Sequence, residues 1–126
     1  MLPLNRMALT RDFKLTIQAR AQRDPGFRRE LLREGIESLL SGDVEMGKTV
    51  LRDYINATVG FSELAEVTHR SSKSLMRMLG PNGNPNARNL FAIVAYLQQQ
   101  AGIQFKLRPQ RAHAQLRASG SLRRPA

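Results

Sequence analysis

The segment Phe61-Ser62-Glu63-Leu64-Ala65-Glu66-Val67-Thr68-His69-Arg70-Ser71-Ser72-Lys73-Ser74-Leu75-Met76-Arg77-Met78-Leu79 reads as two short helices, Phe61 to Thr68 and Ser72 to Leu79, with His69-Arg70-Ser71 between them. Two helices crossing steeply over so short a turn need a small residue where they touch, apolar residues toward the supporting helices, and one irregular residue at the bend. Ala65 supplies the small contact, Leu64, Leu75 and Met78 the apolar anchors, and His69 the bend. The remaining face of the second helix presents Ser72, Lys73, Met76 and Arg77, beside Ser71 at its N-terminus. Hydroxyls and backbone N–H groups at such an end suit phosphates and base edges, and Lys73 and Arg77 are long enough to reach a guanine or a phosphate in a major groove.

Downstream, Gly80-Pro81-Asn82-Gly83-Asn84-Pro85 is dense with turn residues. Its last two residues are a cap-plus-proline signal for a helix to about Ala101, with Leu90, Ile93, Val94 and Leu97 inward. Asn82, Asn84, Asn86 and Arg88 flank that helix start, where N–H groups and the dipole can hold a phosphate; Asn84 can also simply cap the helix, and the two roles are compatible. Past Gly102, Ile103, Phe105 and Leu107 alternate with Gln104 and Lys106, the period of a short strand. Pairing with a twin across a dimer axis and docking on its own domain are both open for it. From Arg108 to Ala126 there are five arginines, no acid, and Leu116 and Leu122 as the large apolar residues, so a disordered basic tail is expected. It either grips a nucleic-acid backbone or keeps the protein soluble.

Upstream, Asp43 caps a helix to about Ala57 with Met46, Val50, Leu51, Tyr54 and Ile55 inward. Asp24-Pro25 starts an earlier helix with Leu32, Ile36, Leu39 and Leu40 on its apolar face, ended by Ser41-Gly42. Before it, Thr10 can cap a helix from Arg11 to about Ala21 with Phe13, Ile17 and Ala21 on one face. Phe13, Leu15 and Ile17 also alternate as a strand would, so a helix there competes with a strand.

The whole chain has 126 residues, one domain's worth, with a formal charge of +10. Residues 1–60 hold ten basic and eight acidic groups, whereas residues 61–126 hold ten basic and two acidic groups, the last carboxylate being Glu66. A polyanion-facing surface therefore belongs to the second half. With no cysteine there is no disulfide frame, thiol nucleophile or Cys-based zinc site. Neither a signal-peptide core nor an apolar run near the roughly 18 residues of a membrane span is visible. No nucleophile-base pair, metal-ligand cluster or phosphate-binding glycine loop argues for an enzyme, and no cofactor is implied. His69 reads as a bend residue rather than a catalyst, His113 has no partners in sequence, and Met76 and Met78 read as rim and core packing rather than a ligand pocket.

The run from Leu64 to Asn86, with Leu64-Ala65-Glu66, then Ser71-x-Lys73-Ser74-Leu75-x-Arg77-Met78-Leu79 and Gly83-Asn84-Pro85, resembles the Xre or lambda-repressor-like helix-turn-helix proteins. Within them it is similar to the addiction-module antidote proteins related to HigA antitoxins. A looser likeness reaches from Thr10 to about Leu107, and Met7-Ala8-Leu9-Thr10 looks like the family's usual beginning, which makes Met7 a candidate start. Two departures stand out. The family's glycine at the bend is His69 here, which tolerates positive φ at some strain. Its apolar successor is Arg70, which trades a core contact for a phosphate contact.

These observations set the expectations. The fold is all-α, with a helix-turn-helix domain and a short strand at 43–107, a preceding helical pair at 10–42, and disordered ends at 1–9 and 108–126. The function is sequence-specific binding of double-stranded DNA as a cytoplasmic, nucleoid-associated, dimeric repressor on a palindromic operator. Base readout falls to Ser71, Ser72, Lys73, Met76 and Arg77, and backbone contacts to Arg70, Asn82, Asn84 and Arg88. The resemblance further implies a type II antitoxin that regulates its own operon and binds a RelE- or HigB-like toxin. A basic toxin has one suitable seat, the near-neutral first half, where Glu30, Glu34 and Glu37 share a helix face, although Arg29 and Arg33 are local partners for them. The alternatives are a stand-alone regulator and a basic RNA- or ribosome-associated protein.

Overall fold

Asp24-Pro25 starts a helix as its chemistry requires. In the computed structural model, which describes residues 11–111, the Asp24 carboxylate accepts from the Phe27 N–H at 3.1 Å and Pro25 occupies the first turn. That backbone hydrogen bond is the main reason the Asp24 carboxyl sits below its ordinary pKa. Asp43 repeats the arrangement, accepting from Met46 N–H at 3.2 Å. The described residues are all-α: α1 (Arg11–Arg23), α2 (Pro25–Leu40), α3 (Val44–Ala57), α4 (Gly60–Thr68), α5 (Ser72–Met78) and α6 (Ala87–Ala101). Among the described residues there is no strand. The Thr10 cap, residues 1–9 with the Met7 start, and the tail from 112 with His113, Leu116 and Leu122 lie outside the described residues.

At Arg11–Arg23 the helix prevails over the strand. Ala21 is fully buried and Ile17 packs against the core, while Leu15 is 55% exposed. A four-residue spacing puts 13, 17 and 21 on one side and leaves 15 outside, whereas a strand would have grouped 13, 15 and 17. The Arg28 guanidinium crosses back to the end of α1, donating to Ala21 O at 2.6 Å, and Arg20 lies over the Phe27 ring at 4.3 Å.

α2 and α3 approach closely because each places a glycine opposite a large residue of the other. A Cβ on Gly47 would meet Leu39 Cδ2 at 2.6 Å, and one on Gly35 would meet Val50 Cγ1 at 3.1 Å. This contact rotates α2 so that Leu31, Leu32 and Gly35 are buried and Leu40, expected inward, is 60% exposed. One apolar cluster then runs through the molecule from Ala21, Leu31 and Leu32, through Leu51, Tyr54 and Ile55 of α3, to Leu64, Leu75, Ile93 and Leu97.

α6 begins two residues later than the sequence suggests. Asn86, not Asn84, is its cap, accepting from Asn89 N–H at 2.8 Å, and Pro85 precedes the cap instead of entering the first turn. The helix ends at Gly102 with φ of 70°, and Ile103 N–H returns to Gln98 O at 3.1 Å. In the segment expected to be a strand, Ile103 and Phe105 pack against the core while Leu107 is 77% exposed. The burial partly follows the expected alternation, but no ladder forms among the described residues. Instead the Phe105 N–H donates to Gln98 Oε1 at 2.8 Å, which docks the segment on the end of α6.

Candidate nucleic-acid interface

The turn between α4 and α5 is made by a single left-handed residue. His69 has φ of 57° and ψ of 37°, the one positive φ at a non-glycine among the described residues, and the following Arg70 N–H closes on Ala65 O at 3.2 Å. Ser71 is extended and caps α5 by accepting from Ser74 N–H at 3.0 Å. Leu64, Leu75 and Leu79 are buried and Ala65 and Met78 pack beside them, so the inner face of the helix pair is anchored as its apolar spacing requires.

Of the five residues expected to face outward, four do. Ser71, Lys73, Met76 and Arg77 are exposed on one side of α5 or at its start. Ser72 departs from that face: it is half-buried, and its hydroxyl donates to Phe61 O at 3.3 Å, bracing α5 against the start of α4. The difference arises because the first residue of a helix that follows so tight a turn lies over the preceding helix. Arg70 is exposed but occupied, donating to Asn89 Oδ1 at 2.9 Å and so linking the turn to the first turn of α6. Arg88 is exposed nearby.

A residue the sequence reading passed over organises the far end of α5. Lys48 of α3 is 1% exposed, and its Nζ donates to Gly80 O at 3.0 Å and Gly83 O at 2.8 Å while pairing with Glu45 Oε2 at 3.0 Å. Those carbonyls belong to the turn that leaves α5, itself closed by Gly83 N–H to Gly80 O at 3.0 Å. Gly83 fits because it lacks a side chain: a Cβ there would lie 2.1 Å from Arg77 O and 2.2 Å from Met78 O. Lys48 therefore holds the exit loop against the C-terminus of α5. In sequence it stands three and seven residues before Leu51 and Ile55, on the buried face of α3, a register that marks its burial but not the carbonyls it meets. The loop held this way places the exposed Asn82 and Asn84 beside Arg77, around an open cleft of about 320 Å³ that also reaches Asn86 and Asn89.

From Lys73 onward this surface contains no carboxylate. On α4, Glu63 is engaged by α6, since Tyr96 donates to it, a bond that is the main reason the Tyr96 hydroxyl lies above its ordinary pKa. On the opposite half, the acidic face of α2 is partly neutralised in place. Arg33 bonds Glu30 and Glu37, each at 2.6 Å, which lowers Glu30 below the usual carboxylate range. Among the described residues no group of three or more His, Asp or Glu could hold a metal ion, and no helix is long and apolar enough to cross a membrane. No family model matches the chain, and no solved structure matches it.

Proposed function

We propose that this protein binds double-stranded DNA in a sequence-specific manner as a dimeric transcriptional repressor, using α4 and α5 as a helix-turn-helix of the Xre or lambda-repressor-like kind. The observation that carries the reading is the pair Lys73 and Arg77, exposed one helical turn apart on a helix that starts after a left-handed bend and whose other face is anchored in the core. In this reading α5 lies in the major groove with Arg77 and Lys73 toward base edges. Ser71 and Met76 border the contact, while Asn82, Asn84, Arg88 and Arg70 face the phosphates. Ser72 positions α5 rather than reading bases. Selection of duplexes from a random pool with the full-length chain tests it. The expected product is an inverted repeat with half-site centres about 34–36 Å apart; preferential recovery of single-stranded RNA from a mixed pool overturns it.

The antitoxin role rests on the resemblance. A basic toxin would seat on the α2 side of the molecule, where Glu34 remains beside the Arg33-bridged Glu30 and Glu37. A small basic ribonuclease-like frame beside this gene, whose product co-purifies with the chain, is the expected result. Its absence leaves a stand-alone regulator of the same DNA-binding kind.

A further inference from the structure

The groove between α1, α2 and α3 is built unlike the rest of this basic molecule. It has a volume of about 200 Å³ and a mainly apolar lining that includes Phe13, Ile17, Phe27 and Met46, with the acidic residues Asp53, Glu30 and Glu34 also along its wall. An apolar cavity of about 150 Å³ accepts benzene, so this space suits a single ring with a short arm. Glu30 is already bonded to Arg33. Asp53 is not: it is 6% exposed, and among the described residues neither a hydrogen bond nor an ion pair reaches its carboxylate. Lys14 and Arg52 act on it only through their fields, and burial pushes its carboxyl above the ordinary range. A buried carboxylate without a partner is costly to keep charged, and a cation that hydrogen-bonds to it in the groove offsets part of that cost. The chain as a whole carries +10, so three acidic residues along one apolar groove are a local exception to its charge.

We propose that this groove is a binding site for a small organic cation of the arylalkylamine class, with the ring against the apolar walls and the ammonium group paired with Asp53. This site is independent of the DNA-binding reading. The test titrates the full-length chain with benzylamine at neutral pH and follows backbone amides by NMR, with benzyl alcohol as the neutral ligand of the same shape. The expected result is saturable shifts at Thr49, Val50 and Asp53, with benzyl alcohol and the Asp53→Asn protein each binding at least about tenfold more weakly. Equal affinity for the two ligands, unchanged affinity in Asp53→Asn, or shifts confined to other surfaces would overturn it. So would nuclear Overhauser contacts between Val50 methyls and residues 1–10 or 112–126 in the ligand-free protein, because the chain would then fill its own groove. The comparison of the two ligands on the unaltered protein decides the matter even if the variant folds poorly.

Discussion

At the scale of single residues, three side chains sit under conditions that a surface description would miss. Lys48 places a buried charge on two loop carbonyls, and among the described residues Gly83 O has no other hydrogen-bond donor. Lys48→Met leaves those carbonyls without it, so stability is expected to fall by about 2–4 kcal/mol in urea denaturation, with DNA affinity falling as the loop loosens. His69 occupies a backbone region that disfavours side chains, so His69→Gly is expected to raise stability by about 0.5–1 kcal/mol, the relief of strain exceeding the added chain entropy. Asp53 gives a pH signature. Its carboxyl is raised by burial, so between the unfolded and folded values the native state binds more protons and stability falls as pH rises. Asp53→Asn removes that loss, and the variant is expected to be more stable than the parent at neutral pH. The gap should close as pH drops below the ordinary aspartate range, where both states of the parent are protonated; thermal unfolding across pH measures it. The bend at His69 was legible from its place between two apolar patterns. Lys48 was not recognised, because a lysine on an inward register is ordinarily a surface residue and only the carbonyls 32 and 35 residues away reveal its use.

At the scale of elements, caps and glycines decided more than propensity did. Asp24 and Asp43 start their helices where the sequence places them, because an aspartate before an apolar-periodic run has one efficient use. Asn84-Pro85 offered the same signal and did not take it. Asn86 supplied a better-placed acceptor, and the exit turn before it required extended chain. The orientation of α2 was equally hidden, since it depends on Gly35 and Gly47 fitting against side chains of the other helix, a match that no periodicity within one helix records. Ile103 to Leu107 kept part of its alternation without becoming a strand, because Gln98 supplied the hydrogen bond that a neighbouring strand would have given. The exit loop is the element whose geometry is least replaceable. Gly83→Ala must displace the carbonyls of Arg77 and Met78, and the expected cost is about 3 kcal/mol, read as a lowered unfolding midpoint. An unchanged midpoint would show that the loop is not seated as described.

At the scale of the whole molecule, charge and packing divide the chain differently. The apolar core is continuous from α1 to α6, whereas the charge changes character at α4 and α5. The side of α1 to α3 carries paired acids and the groove around Asp53, and the surface after Glu66 is free of carboxylates. Net charge alone would favour any polyanion; the proposal of duplex DNA rests on the exposed Lys73 and Arg77 of an anchored short helix. A phosphate contact loses affinity for every sequence alike, and a base contact loses it selectively. The most direct measurement is therefore a paired titration, at one fixed salt concentration, of the parent and Arg77→Ala proteins against a selected duplex and a random duplex of equal length. Arg77→Ala is predicted to lose about 1–3 kcal/mol on the selected duplex and far less on the random one. Equal losses on both would contradict base readout by α5.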